Sequence, residues 1–423
     1  MFKILTSKKF FFLFITQFFG ALNDNIFKNA LVIFITYKLA HENQINSQFF
    51  VTLAAFLFIL PFFLFSALAG QIADKFDKAK IAQIIKFAEI ILMIFAFYGF
   101  YTKNLYFLLF ILFALGAHSA FFGPIKYGIL PKIVKENELI AANSLISSAT
   151  FAAILLGTII GGILIMTQNG IFAISATVIS SAIIGFVTSF FIPKQKPNQL
   201  KVSFNIFTQS LKIMAQARKN PKIFQSIMAI SWFWFIGSIF LSQIANFSKN
   251  ILFANNEITT LMITIFSLGI ALGSLICNKL LKGKISSFYT PFAAILMSIF
   301  IFDLYFTSTS QNFSSGDLIG FGEFIKTPNN LRILFDLAMI AICGGIYVVP
   351  LYAIIQNESI DENRARTIAA LNIYDSLFMI LSTIFALIIL RLGFGTLEIF
   401  LATSVLNLII SGTMLKLRKQ QKL

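Results

Sequence analysis

Twelve runs of roughly twenty mostly apolar residues, spread over 423 positions, constrain this chain more than any other feature. A run of that length crosses a hydrocarbon core as one helix. Lipid offers the backbone no hydrogen bonds, so a spanning segment must bond within itself. The runs lie near 10–38, 48–70, 81–101, 104–123, 139–166, 171–192, 222–247, 258–281, 288–308, 331–355, 367–390 and 394–415. Between the sixth and seventh lies "PKQKPNQLKVSFNIFTQSLKIMAQARKNPK" (193–222), the longest polar connection, with a short amphipathic helix predicted from Ile206 to Ala217. The expected architecture is an all-α integral membrane protein with twelve transmembrane helices in two pseudo-symmetric six-helix bundles. The bundles are residues 1–192 and 222–423, the second with a short basic tail, and 193–221 is a linker.

The residues are 58% hydrophobic and only 12% charged, against about 25% charged in a soluble domain. A net charge of +16 would suit nucleic acid if the charges formed one patch, but their placement points elsewhere. With the N-terminus inside, 25 of the 33 Lys and Arg fall on inner segments and six on outer ones, while Lys28 and Lys86 lie within spans. That bias predicts cytoplasmic N- and C-termini. A cysteine at Ser314 should then be labelled from outside and one at Gln199 should not. The basic residues face anionic lipid, and no nucleic acid is needed. The N-terminal stretch imitates a signal peptide, but the apolar pattern resumes at once in "ALVIFITY", so a retained first span is expected. Cys277 and Cys343 sit in separate apolar runs and make neither a disulfide framework nor a metal site.

The first span is interrupted by "NDN" and a lysine: Asn23, Asp24, Asn25 and Lys28. A charge near the bilayer centre costs at least about 2.5–3.5 kcal/mol on insertion scales. Asp24 and Lys28 are spaced i, i+4 and suit a structural pair. The flanking amides need partners too, and such clusters face a bundle interior or a wet cavity. This reading makes the helix part of a transport path. Span eleven repeats the pattern with Asn372 and Asp375 in "ALNIYDSLFMIL". Lys86 and Glu89 are expected to pair, His118 to be a packed polar residue, and Trp232 and Trp234 to lie in an interfacial belt. "NSLISSATFAAILLGTIIGG" (143–162) reads as a small-residue packing face.

"GQIADKFDKAK" (70–80) joins spans two and three, with Gly70, Asp74, Lys75 and Lys78. Asp74 at the end of its own helix is disfavoured by that helix's dipole and better placed against the start of another. In "FFGPIKYGILP" (121–131), Gly and Pro suggest that span four stops, leaving Lys126 near the inner face as an anchor or as a cation for an anionic head group. "GPIKYGILPKIVKENELIAANSL" and "VPLYAIIQNESIDENRARTIAALN" echo each other weakly between the halves, with Pro124 matching Pro350 and Asn143 matching Asn372. Two such halves suit a rocking transporter with its site near the midplane.

In order, "QFFGALNDN", "GQIADKFDK", "GPIKYGIL", "AANSLISSATFAAILLGTIIGG" and "GGIYVVPLYAIIQNE" resemble the bacterial lysophospholipid transporter family of the major facilitator superfamily. The resemblance implies inward flipping of lysophospholipids, chiefly lysophosphatidylethanolamine, across the bacterial inner membrane by alternating access. It implies path residues at Asp24, Lys126, Asn372 and Asp375, and Arg366–Thr367 as the helix start that meets Asp74. Its implied partners are the lysophospholipid, membrane lipid, and a separate acyltransferase or acyl-carrier synthetase. A monomer without cofactor or metal is expected. Span seven departs from the family, since "FIGSIFLSQIANF" (235–247) has no basic residue where some members place an Arg. His41 and His118 lack the aspartate five residues on that acyltransferase chemistry needs, so no enzymatic activity is expected. Two other readings stay open from the residues alone: a proton-coupled exporter of drugs or small solutes, with Asp24 as proton carrier, and a membrane scaffold for a lipid-synthesis enzyme.

Overall fold

The computed structural model describes residues 2–39, 47–198, 200, 202–309 and 318–420. His41, Gln199 and Ser314 lie outside the described residues. Among the described residues, twelve helices are long and apolar enough to cross a membrane. In chain order the main helices are α1 Lys8–Phe34, α2 Ser47–Lys75, α3 Lys78–Tyr101, α4 Leu105–Ile133, α5 Leu139–Ile165, α6 Gly170–Ser189, α7 Ile206–Ala217, α8 Pro221–Asn246, α9 Asn256–Leu281, α10 Thr290–Thr309, α11 Pro328–Glu358, α12 Arg364–Arg391 and α13 Thr396–Gln420. All but α7 are spans, and α7 is the amphipathic helix of the linker, with the bounds its pattern predicts.

Several helix starts are fixed by side chains. Asn104 accepts from Phe107 N at 3.1 Å to cap α4, and Asn205 accepts from Thr208 N at 3.1 Å to cap α7. Asp77 accepts from both Ala79 N and Gln195 N, joining the cap of α3 to the linker. The structure corrects the reading of span four. α4 does not stop at Gly123–Pro124 but runs through Pro124 and Pro131 to Ile133, and α11 likewise runs through Pro350. Proline is tolerated within membrane helices because neighbouring groups re-satisfy the freed backbone. Lys126 therefore lies within a helix, seven residues or about 10 Å before its end.

The helices pack into two compact units. The first comprises Met1–Ala142, Ala152–Ile227 and Ile355–Ser376, and the second Asn143–Phe151, Met228–Ile354 and Leu377–Leu423. The linker does not divide these units: residues 143–151 of α5 belong to the second, and the start of α8, the end of α11 and the start of α12 belong to the first. In the first unit, Phe100 packs edge-on to Phe27 and Phe34, with ring centroids at 5.7 and 5.3 Å. Gly157 and Gly161 bring α5 against α1, where a side-chain carbon would overlap Asn25 Cβ and Ile26 O. In the second unit, Phe240 stacks on Phe400 at 4.6 Å, and Ser148 donates to Ala271 O at 2.8 Å. The small-residue segment 143–162 is thus a packing face in both.

Trp232 is no interfacial anchor. It is 7% exposed and donates its indole N–H to Asn407 Oδ1 at 2.9 Å, while Asn407 Nδ2 reaches Ala294 O and Ser298 Oγ. An indole N–H inside an apolar bundle needs an acceptor, and α13 supplies one that hydropathy does not reveal. Trp234 is half-buried and stacks near Phe151 at 6.4 Å.

Candidate functional site

Consecutive helical residues point about 100° apart, so "NDN" on α1 addresses three neighbours. Asn23 turns to α3, donating to Glu89 Oε1 at 2.8 Å. Glu89 Oε2 accepts from Lys86 Nζ at 2.7 Å and lies 3.3 Å from His118 Nε2 on α4. Lys86, Glu89 and Asn23 are fully buried. Gly20 leaves room for the lysine, since a side-chain carbon there would make Lys86 Nζ shift. The other side of the ammonium faces the Phe122 ring at 4.8 Å, a favourable desolvated cation–π contact.

Asp24 turns to α4, where Ser119 Oγ donates to its Oδ2. Its Oδ1 is buried and takes no hydrogen bond among the described residues. Lys126, two turns from Ser119 along α4, holds its ammonium 4.6 Å from the Tyr127 ring. Asn25 turns to α5, its Cβ against Gly157, and its Oδ1 accepts from Lys28 Nζ at 3.0 Å. Lys28 also lies over the Phe58 ring at 5.4 Å.

The Asp24–Lys28 ion pair that the spacing allows is not formed. Among the described residues no contact within 4 Å joins them, and each has a different partner. A spacing of i, i+4 permits a pair, but a buried carboxylate gains more from a donor aimed from a second helix. The Lys86–Glu89 pair is formed. Ser119 was invisible to sequence reading because nothing in span four marks one serine as facing Asp24.

Asn372, on α12, stands against α4, with its Nδ2 3.2 Å from where a side-chain carbon on Gly123 would lie. That Nδ2 takes no hydrogen bond among the described residues. Asp375 is buried one turn further on. The structure thus brings Asn372 to the helix carrying Ser119 and Lys126.

The loop motif forms a second constellation. Asp74 is 1% exposed. Its Oδ1 accepts from Ala365 N and its Oδ2 from Arg366 N, each at 3.0 Å, so the carboxylate caps the first turn of α12. Lys78 Nζ lies 3.9 Å from Asp74 Oδ1. Gly70 makes the approach possible, because a methyl there would lie 2.6 Å from Ala369 Cβ and 2.9 Å from Ala365 O. Lys75 lies over Phe76 at 5.2 Å. Lys132 reaches Asp361 at 2.9 Å just before α12.

Residues 13–383 match the model of the Major Facilitator Superfamily. The chain belongs to the major facilitator superfamily. It is therefore a multi-pass membrane transporter rather than an enzyme. Its sequence is similar to the lysophospholipid transporter LplT of Escherichia fergusonii, 25% identical over 400 residues that cover 90% of this chain and 91% of the relative. It is 24% identical to the protein of the same name from Escherichia coli O9:H4, over 90% and 91% of the two chains. Its fold resembles the crystal structure of the human organic anion transporter MFSD10, with TM-score 0.75, 11% identity and coverage of 96% and 98%. It also resembles an outward-facing bacterial homologue of the iron transporter ferroportin, with TM-score 0.70, 12% identity and coverage of 95% and 98%.

Proposed function

We propose that this transporter moves lysophospholipids, with lysophosphatidylethanolamine foremost, inward across the bacterial inner membrane by alternating access, with both termini in the cytoplasm. The observation that carries the reading is the buried Oδ1 of Asp24, which takes no hydrogen bond among the described residues, with Ser119 holding the other oxygen. A carboxylate left open in a span is costly unless a ligand completes it. The ammonium of an ethanolamine head group does so, and the cation of Lys126 takes the phosphate. Asn372 adds an amide donor and Asp375 a second acid on the same path, while the single acyl chain stays in apolar surroundings. The sequence similarity to the two LplT proteins supports the same substrate class.

The test is a flip assay in vesicles containing only this protein, with labelled lysolipids of different head groups. Asp24→Ala should abolish movement while membrane insertion is retained, and Asp24→Glu should keep part of it. Normal flipping by Asp24→Ala would remove Asp24 from the path. Movement of a small solute that stops on collapse of a proton gradient, without lysolipid movement, would favour a proton-coupled exporter. A protein that moves nothing would be a scaffold.

A further inference from the structure

The linker helix α7 presents three different faces. Ser210, Ile213 and Ala217 are buried at 4–7% exposure. Gln209, Lys212 and Gln216 line a polar cavity of about 360 Å³ together with Gln71, Ser203 and Arg366. The third face is apolar and uncovered: Phe207 and Leu211, one turn apart, are 72% and 55% exposed, and Phe204, just before the Asn205 cap, is 77% exposed. Large side chains left open in this way mark an interaction surface.

The helix is tied to the end of a membrane span. Ser203 N donates to Gln71 Oε1 at 3.0 Å, and Gln71 lies four residues, about 6 Å, before the end of α2. Asn198 donates to Asp74 O and Lys75 O at the same end. The apolar stripe therefore starts beside the last turns of a membrane-spanning helix. The segment 193–222 carries seven Lys and Arg and no Asp or Glu. A second copy of this surface would meet it with like charge, whereas an anionic lipid surface is complementary. An apolar stripe, a basic polar face and low overall hydrophobicity are the features of a helix lying in the interface plane.

We propose that α7 is a membrane-surface helix, with Phe204, Phe207 and Leu211 among the lipid chains and the basic residues of the linker segment against anionic head groups. It fixes the linker to the bilayer independently of what the transporter carries. The test uses the full chain in vesicles of phosphatidylglycerol and phosphatidylcholine, nitroxide-labelled at Phe207→Cys or, separately, at Gln216→Cys. Cys277 and Cys343 are buried, so labelling is confined to the new thiol. At 207, collisions with oxygen should exceed those with an aqueous nickel complex, and at 216 the order should invert. Equal nickel access at both positions would place α7 in water, and exclusion of both relaxants at 207 would mean that protein covers it. Either result overturns the proposal. In vesicles of phosphatidylcholine alone, the label at 207 should sit shallower. Unchanged depth would overturn the part assigned to the basic residues.

Discussion

At the scale of residues, the polar interruption of α1 is resolved by direction. Asn23, Asp24 and Asn25 each meet a different helix, so no two compete for one partner. Glu89 is the centre of this arrangement, because it neutralises Lys86 and receives Asn23. Glu89→Gln leaves a fully buried ammonium without a counter-charge and should cost about 3–5 kcal/mol of stability, read by thermal or denaturant unfolding in detergent. The double variant Lys86→Met/Glu89→Leu should recover most of that loss. Ser119→Ala removes the donor that holds Asp24. A hydrogen bond to a charged group contributes about 1.5–3 kcal/mol, so lysolipid movement should fall roughly ten- to hundredfold while Asp24 stays in place. An unchanged rate would show that the serine does not position the carboxylate. The Lys86–Glu89 pair was legible because both partners lie on one helix at a known spacing. The Asp24–Ser119 bond was not, because it depends on how α1 and α4 are rotated against each other, as does the partner that Lys28 takes.

Among helices, the Asp74 cap shows how a loop motif can be read correctly and still be incomplete. Its position at a helix end, beside basic residues, predicts that the carboxylate seeks another helix start, and Ala365 and Arg366 are where it lands. What the sequence did not show is that Gly70 is needed for the contact. Gly70→Leu should push α2 from α12 and destabilise the protein by about 1–3 kcal/mol as overpacking. Asp74→Asn keeps the shape and removes the charge opposed to the α12 dipole, worth about 0.3–1 kcal/mol and up to ~2 when partly buried. The expected result is a shift in conformational balance with little loss of stability. Spin labels at Lys75 and Glu362 should show a larger population at long distance, and an unchanged distribution would remove the loop from conformational control. The errors at this scale share one cause. Proline and tryptophan were read by their average behaviour, whereas here α4 continues through Pro124 and Pro131, and Trp232 finds Asn407 inside the second unit.

For the whole molecule, twelve spans and the linker helix were legible because length and apolar periodicity are local. The compact units were not, since α12 begins in one unit and continues in the other and α5 lends residues 143–151 to the second, and chain order carries no trace of that. Orientation is a different kind of whole-chain property. The expected orientation rests on the summed bias of Lys and Arg, twenty-five on the expected inner segments and six on the outer ones, rather than on packing. Each cation resists translocation during insertion, so the bias acts before the bundles exist. The α3–α4 turn and the α4–α5 turn must then lie on opposite sides, and both offer exposed positions: Thr102 in the first and Asn137 in the second. Both native cysteines are buried, so a membrane-impermeant thiol reagent reports only an introduced residue. Thr102→Cys should be modified in intact cells, and Asn137→Cys only after the membrane is opened. The reverse pattern would invert the molecule and put Asp74 and the basic linker outside. Labelling of both in intact cells would mean that α4 does not cross the membrane, which would undo the assignment of Asp24, Ser119 and Lys126 to one transmembrane path.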